Sequence, residues 1–177
     1  MIEGHLIQLC PATLDDRRMI LEWSNSSDIA PWLHLSDDPA QPTGAWGDDY
    51  WEEYYYTGHS PELGRFYIIQ AEGHPVGVIA YNDIDANKRV ELDIWMNAEA
   101  NCGKGFGVEA IQILCAYLQA AFGVRTFMMQ PSARNPRAIR AYEKAGFVKM
   151  PATPEQIAAA WSGVDHHDSV LMIREVA

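Results

Sequence analysis

Three runs of residues in the middle of the chain alternate between apolar and polar positions and predict β-strands. The runs are "RFYIIQAE" (65–72), "HPVGVIAYND" (74–83) and "RVELDIWMN" (89–97). The turns between them are short and contain Gly73 and residues 85–87. We therefore expect an antiparallel meander, preceded by a first strand over "HLIQLC", residues 5–10.

Other stretches carry apolar residues at helical spacing. The predicted helices cover residues 13–25, 46–56, 108–122, 136–145 and a short segment after Thr153. The residues expected to cap them are Thr13 (with Asp16 in a capping box), Asn135 and Thr153 at the N-terminal ends, and Gly123 and Gly146 at the C-terminal ends. The second helix, "WGDDYWEEYYY", is acidic and aromatic.

Shorter strands are predicted at residues 125–131, 147–150 and 169–176. Antiparallel strands thus come first, and a strand, helix and strand crossover follows. This order predicts a mixed α/β fold in a single domain over residues 1–177.

Composition narrows the class of protein. The chain has 177 residues, 48% of them hydrophobic, which suffices for one sizeable core. Its start lacks a basic segment followed by an apolar run, and no stretch of about 18 apolar residues occurs, so we expect neither secretion nor a membrane partner. Three cysteines without paired spacing are typical of reduced thiols, so we expect a cytoplasmic protein.

Charge is distributed unevenly. The formal net charge is −11, which argues against nucleic acid as a partner. Yet residues 104–144 contain six basic and two acidic residues, whereas the rest of the chain carries 22 acidic residues. This division favours an anionic ligand for the basic strip and a cationic partner elsewhere, although an acidic surface also serves solubility.

A glycine-rich turn, "NCGKGFGVEA" (101–110), opens the helix predicted over residues 108–122. Such a turn presents backbone N–H groups and the positive end of the helix dipole to an anion, most often a phosphate. A Walker loop is excluded because the glycine spacing and the Ser or Thr after the lysine are missing. A dinucleotide fingerprint is poorly matched, since the turn follows a meander and no acidic residue lies about 20 positions further on.

The segments "CGKGFGVEAIQILCAYL" and "NPRAIRAYEKAGF" resemble the coenzyme A region of the GCN5-related N-acetyltransferases (GNAT superfamily), and the resemblance extends from about residue 5 to the end. It implies the GNAT fold, with antiparallel N-terminal strands, a β-α-β crossover that binds coenzyme A and a C-terminal hairpin. It also implies acetyl-CoA as co-substrate. Cys102 departs from the pattern, because the superfamily usually has Arg or Gln there.

The resemblance also implies site residues. The cofactor-binding positions are Trp95, Met96, Gly103, Lys104, Gly105, Phe106, Gly107, Asn135, Arg137 and Arg140, with Arg134 as a further candidate for the ribose phosphate. Tyr142 lies two helical turns after Asn135, on roughly the same face. In the family this hydroxyl protonates the departing thiolate as a general acid.

Asp93 is the candidate for the acceptor side. Strand alternation places Val90, Leu92, Ile94 and Met96 on one face and Glu91, Asp93 and Trp95 on the other. A charged residue inside a strand that ends at the glycine turn is costly without a partner, which makes Asp93 a functional candidate. A base is needed there because acetyl transfer requires the neutral amine.

The spacing in "DIWMNAEANCGKG" is similar to that of the aminoglycoside 6′-N-acetyltransferases, in which this aspartate binds the reacting amine. That resemblance implies Trp32 as a wall of the substrate site and Asp165 or Asp168 as a second substrate-binding aspartate. The cluster at 46–56 is either a cation-binding lip or core packing.

No metal site is expected. "DHHD" (165–168) contains ligand types, but adjacent residues rarely converge on one ion. Neither Cys102 nor Cys115 is expected to be a nucleophile.

The expected function is direct acetyl transfer, in a ternary complex, to a primary amine of a small cationic molecule such as an aminoglycoside. Alternatives are a protein N-terminal amine, a hydroxylated lysine of siderophore synthesis, or a non-catalytic acyl-CoA-binding module. A monomer or a homodimer is equally compatible with the sequence.

Overall fold

The fold is that of a computed structural model, which describes residues 1–34, 46–160 and 168–176. The strands are β1 (Ile2–Glu3), β2 (Gln8–Pro11), β3 (Arg65–Ala71), β4 (His74–Tyr81), β5 (Arg89–Met96), β6 (Thr126–Met129), β7 (Val148–Lys149) and β8 (Met172–Glu175). The α-helices are α1 (Arg17–Ser26), α2 (Ala30–Leu33), α3 (Tyr54–Thr57), α4 (Phe106–Phe122), α5 (Pro136–Lys144) and α6 (Pro154–Ala160). Short 3-10 turns precede α1 and α4, at Leu14–Asp16 and Glu99–Asn101.

All eight strands lie in one sheet with the order β1-β2-β3-β4-β5-β6-β8-β7. The pair β5–β6 is parallel, and the other neighbouring pairs are antiparallel. Helix α4 connects the parallel pair, and β8 lies between β6 and β7. The predicted mixed α/β class, the meander and the crossover are therefore confirmed.

Apolar side chains pack on both faces of the sheet. On one face, Leu114 and Leu118 of α4 are fully buried against Ile69 and Ile79 of the strands. On the other face, residues of α1 and α3 pack against neighbours in the same strands, with Ile68 and Val78 pointing to this side. Successive strand residues thus enter opposite cores, as the period of two requires.

Helix α4 carries the larger core and begins at the glycine turn. Gly105, its N-cap, has φ 91°, and Gly123 at the other end has φ 70°. Both angles lie in the left-handed region that glycine adopts at little cost. The helix begins two residues before the predicted start because the turn closes at Gly105.

The helix predicted at 46–56 is wrong for most of its length, since only Tyr54–Thr57 is helical. The backbone around Trp46 is bound elsewhere: Asn25 Nδ2 donates to the Trp46 carbonyl at 2.8 Å, and Trp46 N donates to Asn25 Oδ1 at 2.9 Å. Arg17 Nη2 donates to the Trp51 carbonyl at 2.9 Å. These long-range bonds replace helical ones.

The first predicted strand also differs. Residues 5–7 are not in a strand, because their backbone N–H groups donate to the Glu109 carboxylate of α4, and pairing resumes at Gln8. Before them lies β1, which the apolar pattern did not indicate. Helix α2 falls inside a predicted loop, with Pro31 in its first turn.

No helix within the described residues has the length and apolarity needed to cross a membrane.

Candidate active site

A cleft of about 1150 Å³ opens where β5 and β6 separate. The ladder between the two strands covers three pairs, from Arg89–Thr126 to Glu91–Met128. Beyond Glu91, residues Leu92–Met96 of β5, together with Met129 at the end of β6 and residues 130–132 after it, line the cleft instead. The main chain of β5 can therefore meet a ligand where a continuous sheet would have placed a neighbouring strand.

One side of the cleft, the glycine wall, is made by Gly103, Gly105, Gly107, Asn135 and Tyr142. Gly103 has φ 76°, and no atom lies within 4 Å of the position a Cβ would take there. The turn thus leaves open backbone at the start of a 17-residue helix. This arrangement fits the pyrophosphate of a nucleotide cofactor.

Helix α5 contributes the second half of the glycine wall. Asn135 caps the helix, with its Oδ1 accepting from Ala138 N at 3.1 Å. Asn135, Ala138 and Tyr142 all line the cleft, as their spacing of three and four residues on one helical face requires. The predicted cap is confirmed, and the structure brings Tyr142 to the same cleft as the glycine turn.

Two residues that were predicted to bind the cofactor do not line the cleft. Lys104 and Phe106 are not among the described residues that line the cleft. Lys104 Nζ lies 3.4 Å from Asn101 Oδ1 and 5.8 Å from the centroid of the Phe106 ring. Phe106 packs partly buried against the larger core.

Two of the arginines predicted to bind the ribose phosphate form ion pairs with carboxylates of this chain. Arg134 Nε donates to Asp168 Oδ2 at 2.9 Å. Arg137 pairs with Glu99, and this hydrogen bond raises the pKa of the Arg137 guanidinium. Arg137 and Arg140 both line the cleft.

The opposite side, the aromatic wall, consists of Trp46, Tyr50, Trp51 and Trp95, together with Asn82 and Asp93. The Trp51 and Trp95 rings stack with centroids 5.6 Å apart, and the Trp46 and Tyr50 rings stack at 4.9 Å. Aromatic faces beside a carboxylate attract an ammonium group. Core packing is confirmed for Tyr56, whereas Trp46, Tyr50 and Trp51 line the cleft, and cation binding by these three rings stays a prediction.

Asp93 is half-buried on β5, and its Oδ2 accepts from Asn82 Nδ2 at 3.3 Å. Two positions earlier on the same face, Glu91 Oε1 accepts from Gln130 Nε2 at 3.0 Å. Gln130 lines the cleft and bridges β6 to β5 where the strands begin to separate. The sequence did not single out Gln130, since a lone glutamine at the end of a strand carries no distinguishing signal.

Trp32 lines the cleft close to α5. The residue is 41% exposed, and the Arg137 guanidinium carbon is 6.0 Å from the centroid of its ring. The predicted wall residue is therefore next to an arginine of α5.

Two aspartates near the C-terminus, Asp165 and Asp168, were predicted as alternatives for substrate binding. Asp165 lies outside the described residues. Asp168 accepts from Ser132 Oγ at 2.9 Å and pairs with Arg134, and it is not part of the described cleft lining. Ser132 itself lines the cleft, so Asp168 lies directly behind it, and its role in substrate binding stays a prediction.

Glu109 is a cleft residue that the sequence analysis missed. Its carboxylate accepts from the backbone of His5 at 2.6 Å, Leu6 at 2.7 Å and Ile7 at 3.1 Å. An acidic residue in the first turn of a helix is common, so its presence alone did not indicate this long-range role.

The thiols are poorly suited to nucleophilic attack. Burial raises the pKa of Cys102, which lines the cleft, and raises that of the buried Cys115 to about 12. Both therefore stay protonated near neutral pH. Among the described residues no group of three or more His, Cys, Asp or Glu side chains could hold a metal ion.

Residues 7–148 match the family described as Acetyltransferase (GNAT) domain. Over 147 residues the chain is 33% identical to aminoglycoside N(6′)-acetyltransferase type 1 of Klebsiella pneumoniae, covering 76% of this chain and 70% of that protein.

Solved structures agree with this match. The aminoglycoside acetyltransferase AAC(6′)-Ib, in a complex with coenzyme A, superposes with a TM-score of 0.71 at 25% identity, over 96% of this chain and 94% of the other. Spermidine N-acetyltransferase of Vibrio cholerae, in a complex with CoA and spermine, has a TM-score of 0.72 at 19% identity, over 97% and 96% of the two chains, and shows the shared fold alone.

Proposed function

The chain belongs to the acetyltransferase (GNAT) family, and on that premise we propose that it transfers the acetyl group of acetyl-CoA to a primary amine of a small cationic molecule, with an aminoglycoside as the leading candidate. The observation that carries the proposal is that Tyr142, on a helix much later in the sequence, lines the same cleft as Asp93 and the glycine turn.

The glycine wall fits acetyl-CoA. Gly103, Gly105 and the first turn of α4 would offer N–H groups to the pyrophosphate, and Arg137 and Arg140 would bind the ribose phosphate; all of them lie in or at the cleft. Asn135 would contact the pantetheine arm, and main-chain groups of Leu92–Met96, which line the same cleft, would polarise the thioester carbonyl. Acetyl-CoA supplies the acetyl group in activated form.

Asp93 and Tyr142 handle the two protons of the reaction. Asp93 orients the ammonium group of the acceptor and accepts its proton, which leaves the nitrogen lone pair free to attack the acetyl carbon. As the carbon–nitrogen bond forms and the carbon–sulfur bond breaks, the Tyr142 hydroxyl gives its proton to the departing thiolate. The nitrogen of the new amide loses its second proton to water, and water returns a proton to Tyr142. Asp93 passes its proton to water as well, so one proton is released in each turnover.

The acceptor class follows from the aromatic wall and from the charge of the chain. Trp46, Trp51 and Trp95 line the same cleft as Asp93, a combination that favours ammonium groups. The net charge of −11 attracts polycations over longer distances. The relative at 33% identity acts, by its name, on the 6′ amine of aminoglycosides, which supports the same acceptor here.

The test is acetyl-CoA-dependent thiol release by the purified protein with kanamycin-type aminoglycosides, spermidine, hydroxylysine and short peptides. We expect rapid release with the aminoglycosides and a loss of about a hundredfold to ten-thousandfold in kcat/KM in Asp93→Asn. Asp15→Asn, which removes one exposed carboxylate remote from the cleft, is the matched control.

The outcomes separate reaction from substrate. Release with spermidine or a peptide but not with aminoglycosides would keep the reaction and discard the proposed acceptor. Silence with every amine would contradict catalysis and favour a module that only binds acyl-CoA.

A further inference from the structure

Asn82 links the candidate base to a neighbouring strand. It directly follows β4, where Ala80 pairs with Asp93 of β5, and its backbone N donates to the Glu91 carbonyl at 3.0 Å. Its side-chain Nδ2 donates to Asp93 Oδ2 at 3.3 Å. Both side chains line the cleft, so this contact lies at the proposed reaction site.

Tyr55 of α3 fixes the orientation of the Asn82 amide. Its hydroxyl donates to Asn82 Oδ1 at 2.8 Å. With Oδ1 engaged in this way, the NH₂ group of the amide is directed towards Asp93, whereas a flipped amide would set two acceptor oxygens against each other. Tyr55, Asn82 and Asp93 therefore form a directed chain of hydrogen bonds.

The donor end of this chain is itself held in place. The Tyr55 ring stacks on Tyr54, with centroids 4.7 Å apart, and tilts against Phe66 at 5.1 Å. Burial, followed by the neighbouring Tyr54 hydroxyl and the carboxylates of Asp93 and Glu91, raises the pKa of Tyr55 well above its ordinary value. The hydroxyl thus stays protonated and donates at any working pH.

We infer that Asn82 and Tyr55 are positioning residues of the acetyl transfer, which hold the Asp93 carboxylate ionised and correctly turned towards the acceptor amine. The inference rests on the proposed role of Asp93. It assigns a function to Asn82, which the sequence pattern left unremarked, and to Tyr55, which lies outside the cleft lining.

The kinetic test compares three variants. Asn82→Ala removes the donor to Asp93 and is expected to lower kcat about tenfold to a hundredfold, because a hydrogen bond to a charged group is lost. Tyr55→Phe keeps the ring contacts and removes the hydroxyl, so a smaller loss of roughly threefold to tenfold is expected. The KM for acetyl-CoA should stay unchanged in both, since the glycine wall is untouched.

Asn82→Asp separates positioning from packing. Aspartate has nearly the same shape and still accepts from Tyr55, but it places a second carboxylate against Asp93. We expect a loss of kcat at least as large as in Asn82→Ala. Nearly normal turnover in Asn82→Asp would show that the position matters only for its volume and would overturn the inference.

Tyr56 offers a matched control on the same helix. Its hydroxyl is buried with no hydrogen-bond partner among the described residues. Tyr56→Phe therefore removes the hydroxyl of a neighbouring tyrosine that forms no hydrogen bond with a described residue of the cleft. The kcat of this variant should remain within twofold of that of the original protein. A loss equal to that of Tyr55→Phe would point to a general disturbance of α3.

A substrate-free measurement keeps the inference apart from the proposed reaction. The side-chain carboxyl carbon of Asp93 can be followed by NMR titration in the original protein, Asn82→Ala and Tyr56→Phe. Loss of the donor should move the titration midpoint about one pH unit higher in Asn82→Ala and leave it in place in Tyr56→Phe. Titratable groups beside Tyr55 or elsewhere in the cleft include Glu91 on β5, Tyr54 and Tyr55 on α3, Tyr50 before α3, His34 after α2 and Tyr142 on α5. These three proteins share them all.

The outcomes are distinct. A midpoint that does not move in Asn82→Ala overturns the inference, whatever the activity. Full activity in Asp93→Asn overturns the proposed role of Asp93 in catalysis and the positioning role with it. Loss of activity in Asp93→Asn but not in Asn82→Ala overturns the positioning role alone.

Discussion

The two walls of the cleft are built in different ways. The glycine wall depends on backbone conformation and on the N-terminal ends of two helices. Each of these ends, at Gly105 and at Asn135, is formed by one short continuous segment of the sequence. The aromatic wall is assembled from side chains of β5 and the segment before α3, which meet only in the folded protein. The first wall can therefore be recognised from local spacing, whereas the second is visible only after folding.

The strongest test of the comparison is Tyr142→Phe. Removal of a general acid should lower kcat by about a hundredfold to ten-thousandfold, because the thiolate then leaves without a proton from the protein. The dissociation constant for coenzyme A, measured by calorimetry, should remain unchanged, and Tyr56→Phe serves as the control. An unaltered rate would remove Tyr142 from the mechanism.

Gly105→Ala tests whether the glycine wall works through its backbone. A side chain at φ 91° is strained, and the new Cβ would meet Leu6 Cδ1 at 3.4 Å. Strain of about 1–3 kcal/mol should weaken coenzyme A binding by roughly fivefold to a hundredfold.

Gly73→Ala provides the comparison for this glycine. It introduces a similar positive φ of 79° in the β3–β4 turn, where no atom lies within 4 Å of the new Cβ. Both variants should lose stability in thermal melting, but only Gly105→Ala should lose affinity in calorimetry. Equal affinity in the two would mean that the conformation of the turn does not matter for the cofactor.

A smaller effect is expected from Trp32→Ala. A cation–π contact at an exposed site is worth about 0.5–1 kcal/mol, so the KM for a cationic amine should rise roughly twofold to fivefold. Leu63→Ala removes an apolar side chain of the same 41% exposure outside the cleft lining and should leave KM unchanged. A KM that does not respond to Trp32→Ala would place the acceptor on another part of the cleft.

The smallest effect should come from Cys102→Ala. Burial raises the pKa of this thiol, so it is protonated at neutral pH and is not a nucleophile. Steady-state rates within twofold of the original protein are expected, together with slow alkylation by iodoacetamide. Complete loss of activity would contradict direct transfer.

Much of the fold was predicted because its signals are local. The meander, α4, α5 and the caps at Asn135 and Gly123 follow from alternation, helical spacing and cap chemistry. The resemblance to the GNAT superfamily rested on the same local segments and is confirmed by the family match over residues 7–148.

The errors share another cause, which is contact between distant segments. The helix predicted from residue 46 fails because Asn25 and Arg17 bind its backbone, and the first strand starts late because Glu109 binds residues 5–7. The bond between Glu91 and Gln130 was missed for the same reason. Neither secondary-structure propensity nor residue spacing indicates which distant side chain will form a hydrogen bond with a given backbone group.

The contact between Glu109 and residues 5–7 has a consequence for altered versions of the chain. Three backbone N–H groups offset a negative charge in the first turn of α4, beside the proposed phosphate site. Deleting the first seven residues would remove more than the outermost strand of the sheet. The deletion would leave the Glu109 carboxylate without these donors, next to the proposed site for the cofactor phosphates. Shortening the N-terminus would therefore weaken binding of an anionic cofactor in the middle of the protein.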